Sequence, residues 1–180
     1  MIYATEMNTS KPFNFRTDFP TEGRIAAVDY GTVRIGIAVC DPAWILASPL
    51  EVRPAKNWRE DGDYYCSLLK AEQIVAFIVG LPIHCDGGES QKSLEARKFA
   101  LWLAEETGIP VRMFDERFTT ADAKNRLTPG GFTRKKKKNR IDAVAAQVLL
   151  ESFLEACRYK DEVAGVPIDS EPVGGDDISQ

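Results

Sequence analysis

Apolar and polar positions along the chain change period several times, and each change marks an element. Arg24 to Asp29 is a short apolar strand, Tyr30-Gly31-Thr32 a turn, and Arg34 to Cys40 a second strand. In that second strand Ile35, Ile37 and Val39 alternate with the small residues Gly36, Ala38 and Cys40. The pair therefore predicts an antiparallel hairpin. Trp44 to Val52 supplies a third strand, with Pro49 marking an edge position or a bulge. Asn57 to Glu72 reads as the first helix. The unbroken apolar run Ile74 to Val79 reads as a strand buried on both faces, as in a parallel sheet, stopping at Gly80-Leu81-Pro82. From about Ser90 the period becomes helical, with Ala96, Phe99, Ala100 and Leu103 on one face, and Gly108 and Pro110 end the helix. Val111 to Glu116 is a further strand, Thr119 with Asp122 three residues on can start a helix, and Ile141 to Cys157 forms the last long helix. A hairpin followed by strand-helix-strand units implies an α/β fold, a mixed sheet flanked by helices.

Length fits this as one domain. At 180 residues, with 44% hydrophobic and 28% charged residues, the chain can build a core without disulfide or zinc staples. The folded unit is expected over residues 23–158, between an N-terminal extension (1–22) and an acidic tail (159–180), both reading as poorly ordered. The formal net charge of −4 argues against a polyanion partner until its distribution is considered. From Lys160 onward the tail contributes −5, which leaves +1 for the rest. Within that rest, Arg134, Lys135, Lys136, Lys137, Lys138 and Arg140 concentrate six positive charges in seven residues. No apolar run approaches the roughly 18 residues of a membrane helix, and the first 19 residues lack the order of a signal peptide, so a cytoplasmic protein is expected. Cys40, Cys66, Cys85 and Cys157 form no C-x-x-C pair and read as reduced, mostly buried thiols. His84 is the single histidine, which removes mechanisms built on an oriented imidazole. Adjacent residues of an extended segment face opposite ways, so His84 is badly placed to activate Cys85.

Carboxylates are left to carry any chemistry. Asp29 closes the first apolar strand, Glu116 closes a later one, and Asp142 sits near the start of a helix that is apolar nearly all round. A buried carboxylate needs a proton, a base or a metal ion to neutralise it. Three acids converging at the carboxyl ends of parallel strands favour divalent cations. Each has a plainer reading as well. Asp29 suits a turn, Glu116 can pair with Arg112 or Arg117, and Asp142 can answer a helix dipole. Trp44, Trp58 and Trp102 read as packing residues rather than as platforms for bases.

The ordered succession Val28-Asp29-Tyr30-Gly31 with Arg34-Ile35-Gly36, Ala47-Ser48-Pro49-Leu50, Gly80-Leu81-Pro82, Asp115-Glu116-Arg117-Phe118-Thr119-Thr120, and Arg134 to Asp142 followed by Ala143-Val144-Ala145-Ala146 resembles the bacterial YqgF/RuvX family. These are pre-16S rRNA nucleases once proposed as Holliday-junction resolvases. The resemblance spans about residues 24–158 and implies a ribonuclease H-like fold with a five-stranded mixed sheet. It also implies that the family's acidic triad falls on Asp29, Glu116 and Asp142, the acids already singled out. The loop Ile83 to Gly88 departs from the Asn-, Gly- and Thr-rich form expected after Gly-Leu-Pro.

The expected chemistry is phosphodiester hydrolysis with Mg²⁺ or Mn²⁺, two ions held by Asp29, Glu116 and Asp142. Arg34, Arg117, Arg134, Lys135, Lys136, Lys137, Lys138 and Arg140 are the expected nucleic-acid contacts, and Thr119 and Thr120 can present backbone N–H groups to a phosphate. The expected partner is precursor rRNA, with branched DNA as the alternative, and the chain is a monomer or a homodimer. Two rivals use the same pattern. The Asp29 turn also resembles a phosphate loop of actin-like ATPases, which need a second such domain, and a non-catalytic RNA-binding factor would keep the basic run without cutting.

Overall fold

The structure, a computed structural model, describes residues 18–83, 90–115, 134–160 and 162–169, with the backbone alone for 58–59 and 134–142. The chain order is β1 (Arg24–Asp29), β2 (Arg34–Cys40), β3 (Ala47–Pro54), α1 (Trp58–Glu72), β4 (Ile74–Leu81), α2 (Gln91–Thr107), β5 (Val111–Asp115), α3 (Arg134–Lys160) and β6 (Val166–Pro167). One sheet holds the strands in the order β3-β2-β1-β4-β5-β6. The pairs β1–β4 and β4–β5 are parallel, and β1–β2, β2–β3 and β5–β6 are antiparallel. The mixed sheet therefore has six strands where five were expected. The sixth is a two-residue strand from the segment assigned to the tail.

Alternation along the central strands explains the two layers. On one face Val28, Ile37, Phe77, Val79 and Met113 pack with Tyr65 of α1 and Phe99 and Leu103 of α2. On the other, Ala27, Ala38, Cys40 and Ala76 are small, and α3 lays Leu149, Leu150, Phe153 and Leu154 over them. Mostly small strand residues under one helix and bulkier ones under two fill the two layers. Phe153 is fully buried, with Phe19 edge-on at 5.9 Å, Phe114 at 5.7 Å and Trp44 at 6.2 Å. Phe19, in the stretch expected to be a loose extension, packs partly buried against this core. Trp44 and Trp102 serve packing, as expected, while the Trp58 side chain lies outside the described residues.

Local signals set the ends. Asn57 caps α1 by accepting from the Glu60 N–H at 3.1 Å, and Ser90 with Ser93 forms a capping box on α2. Gly108 ends α2 at φ 68. Opposite Ile37 and Ala38 the β3 register skips Leu50, which puts the expected bulge beside Pro49 on the edge strand. One boundary needs correction. The last helix begins at Arg134 rather than Ile141, so the basic run forms its first two turns and Asp142 lies in its third turn, not near its start. Lys and Arg are good helix formers, and a helix already anchored by its buried stripe propagates into them.

After Lys160 the chain doubles back. Arg112 donates to the Gly165 carbonyl at 3.0 Å, Cys157 Sγ accepts from the Ala164 N–H at 3.3 Å, and Ala164 and Ile168 are buried. Gly165 has φ +79, and a Cβ there would meet the Met113 carbonyl oxygen at 2.5 Å. The strand covers the β5 edge and runs away from the sheet end that carries Asp29. A chain ending at Lys160 is expected to be less stable than one ending at Asp169 by about 2–4 kcal/mol, the worth of burying Ile168 and Ala164. Urea titration of the two truncations checks this.

Candidate active site

Two parallel strands, β1 and β4, deliver their carboxyl ends to the same edge, the position where open α/β sheets build sites. Asp29 is the last residue of β1 and is half-buried. By alternation it shares the α3 face with Ile25 and Ala27. Its partner across β2 is Gly36, and because Val28 pairs with Val79, it comes level with Gly80 of β4. The carboxylate therefore stands between two glycines in its own row, with Phe114 of β5 beyond Gly80.

The turn after Asp29 is tight. A Cβ on Gly31 would meet the Arg34 carbonyl oxygen at 2.6 Å, so only glycine fits without displacing the turn. Tyr30 points to the opposite layer and stacks on Phe99, with centroids 4.4 Å apart at 22°. Burial, then Glu95 and Asp61, push its hydroxyl pKa upward, so it stays a neutral hydrogen-bonding group. The lip of the turn is tied down where the Ala55 N–H donates to the Val33 carbonyl at 3.0 Å. Across from it, Ser93 donates its hydroxyl to the Pro82 carbonyl and so fastens the first turn of α2 to the end of β4. Between these walls lies a cleft of about 400 Å³ bordered by Asp29, Tyr30, Arg34, Pro82, Lys92 and Glu95.

Asp29 and Arg34 are thus the two expected site residues that border the cleft. The backbone of position 142 lies four residues before buried Ala146 and seven before buried Leu149, on the stripe of α3 that packs against the sheet. That is the face carrying Asp29. Arg134, Lys135, Lys136, Lys137, Lys138 and Arg140 are placed by backbone on α3. β5 is described over Val111–Asp115, and Glu116, where the strand was expected to end, lies outside the described residues, as do Arg117, Thr119, Thr120, His84 and Cys85. Among the described residues no three His, Cys, Asp or Glu side chains form a group able to hold a metal ion. Cys40, Cys66 and Cys157 are free thiols, and burial raises the pKa of Cys40 and Cys157. No helix of the described residues is long and apolar enough to cross a membrane.

Sequence reasoning missed Tyr30, Lys92 and Glu95. The last two look like ordinary exposed helix charges, and the one available signal was their position in the first turns of the helix that follows the Gly80-Leu81-Pro82 loop. It also missed the buried ion pair of Arg53 and Asp61, at 2.6 Å.

Residues 23–156 match the family model described as "RuvX: Holliday junction resolvase". A "Putative pre-16S rRNA nuclease" of Rhodopirellula baltica is 66% identical over 147 residues, covering 82% of this chain and 85% of its own. A protein of the same name from Koribacter versatilis is 41% identical over 133 residues, covering 74% of this chain and 87% of its own. Among solved structures, T. thermophilus RuvC in complex with a Holliday junction substrate superposes with a TM-score of 0.52 at 15% identity, covering 80% of this chain and 98% of that one. That likeness bears on the fold, which is ribonuclease H-like.

Proposed function

The chain belongs to the RuvX family, and from that premise we propose that it is a divalent-cation-dependent nuclease that hydrolyses a phosphodiester beside Asp29. One observation carries the reading. A carboxylate ends a central strand at the wall of a cleft of about 400 Å³, with glycine on either side in its row.

The site suits hard cations. Gly36 and Gly80 flank Asp29 in its row and bring no side chains of their own, and a carboxylate oxygen is the donor that Mg²⁺ or Mn²⁺ prefers. Asp29, Glu116 and Asp142 would hold the ions, which when bound supply a hydroxide nucleophile and neutralise charge on the leaving oxygen. The placing of position 142 on the face that carries Asp29 supports this set. Arg34, bordering the same cleft, orients a phosphate oxygen. The Asp29–Arg34 turn, tied down where the Ala55 N–H donates to the Val33 carbonyl, holds both groups beside the cleft and so positions the substrate phosphate.

Precursor rRNA is the substrate we infer, because relatives at 66% and 41% identity are named as pre-16S rRNA nucleases; a cut near the 5′ end of the 16S sequence is our proposal for its position. This substrate puts the protein in the cytoplasm. The family description favours a second reading, resolution of a four-way DNA junction, which needs a dimer presenting two sites. Parallel digestion of a 5′-extended rRNA fragment and a four-way junction, each with and without chelator, decides between them. The expected result is cutting of the RNA that chelator stops; cutting of the junction alone overturns the substrate assignment.

The basic turns of α3 are assigned to the sugar-phosphate backbone. With six charges engaged on single-stranded RNA, log affinity is expected to fall with log salt at a slope near −4. Binding isotherms over a range of KCl check it, and a flat dependence removes the run from the interface.

A further inference from the structure

We propose that the cleft between the β1–β2 turn and the first turn of α2 is a subsite for one unpaired nucleotide next to the phosphate being cut. The proposal rests on the nuclease reading and adds to it the shape of the substrate.

Three features of the cleft carry it. The first is size. About 400 Å³ is at the small end of ligand pockets and accepts a single nucleotide. A paired base brings its partner strand along and enters such a space only after leaving the stack.

The second is the placement of charge. Lys92 on α2 and Arg34 at the start of β2 border the cleft, and both suit the phosphates on either side of a nucleotide. Glu95 borders it as well, with one oxygen accepting from the Gln91 amide at 3.2 Å. A carboxylate in a cleft that takes a polyanion repels phosphate and attracts hydrogen-bond donors. It therefore turns the sugar or the base edge inward and leaves the phosphates to the two cations. The Tyr30 hydroxyl, neutral at working pH, can donate or accept beside it.

The third is the wall. Val33 is 74% exposed at the lip, an apolar side chain held toward solvent on a tied turn, and Pro82 lies opposite. These surfaces offer a base face something to lie against once it is unstacked.

The test is equilibrium binding by the full chain in chelator, where no cleavage is needed, using a 12-nucleotide single-stranded RNA and the same sequence as a duplex. Lys92 is exposed and Tyr30→Phe keeps the stack on Phe99, so Lys92→Gln and Tyr30→Phe should both melt as the parent does. Lys92→Gln is expected to weaken single-strand binding about tenfold and Tyr30→Phe a few-fold, with duplex binding, carried by the basic turns of α3, changed less than about twofold. Variants that bind the single strand as tightly as the parent, or lose both probes equally, overturn the subsite. Neither outcome touches the nuclease reading, which stands or falls on cleavage by an Asp29 variant.

Discussion

Asp29→Asn is expected to lower cleavage by at least about 10³-fold, the scale of the several kcal/mol a catalytic carboxylate and its cations supply, with no loss of fold. Asn keeps the size of the side chain at the end of β1, where both neighbours in the row are glycine. RNA affinity should hold or rise slightly, because a negative charge is removed from a site that receives a polyanion. Cleavage, binding and thermal melting of the same preparation separate these effects. Asp115→Asn is the control. Asp115 ends β5, in phase with Val111 and Met113 on the layer opposite α3. Its change is expected to cost no more than a few-fold. A folded Asp29→Asn protein that cuts at the parental rate ends the assignment, and with it the reading of the cleft as an active site.

That Asp29 stood out from the sequence at all has a simple cause: an acid that terminates an apolar strand breaks the pattern set by Ile25 to Val28. The β1–β2 hairpin, β4 and the caps of α2 were legible for the same reason, since each is written in adjacent residues. What escaped was written across the chain. Val166 and Pro167 become a strand because they pair with the β5 edge and because Gly165 permits close approach; the short stretch Val163 to Ile168 is interrupted by Gly165 and Pro167 and lies in an acidic segment, which hid it. The start of α3 was placed too late because the apolar pattern begins at Ile141, while helix continuity needs no stripe. Lys92 and Glu95 border the cleft through the packing of α2 against the Gly-Leu-Pro turn, a tertiary fact that no helical pattern records. Arg53 and Asp61 sit on different elements, and each alone resembles a surface charge.

Asp61→Ala is expected to destabilise the protein by about 3–5 kcal/mol, a large part of the roughly 5–15 kcal/mol a domain possesses. The side chains of Asp61 and Arg53 are 3% and 11% exposed, and their ion pair is 2.6 Å long. Asp61 also accepts from the Lys56 N–H at 3.2 Å, and the Arg53 guanidinium lies 3.7 Å from the centroid of the Tyr64 ring. Removing the carboxylate leaves a cation that solvent reaches poorly and a backbone donor without its acceptor, and both penalties have the same sign. At about 2–4 °C per kcal/mol for a chain of this size, the melting temperature should drop by roughly 10 °C. Replacing both partners, Arg53→Met with Asp61→Leu, removes the stranded charge and should recover most of that loss. The effect reaches the cleft, because the Ala55 N–H that holds the Val33 carbonyl follows directly on the end of β3 that carries Arg53. Single-strand binding by Asp61→Ala, measured well below its melting point, should therefore weaken more than duplex binding. An Asp61→Ala protein that melts within about 2 °C of the parent shows that the pair is solvated in practice, and the link from α1 through β3 to the lip of the cleft then has no energetic basis.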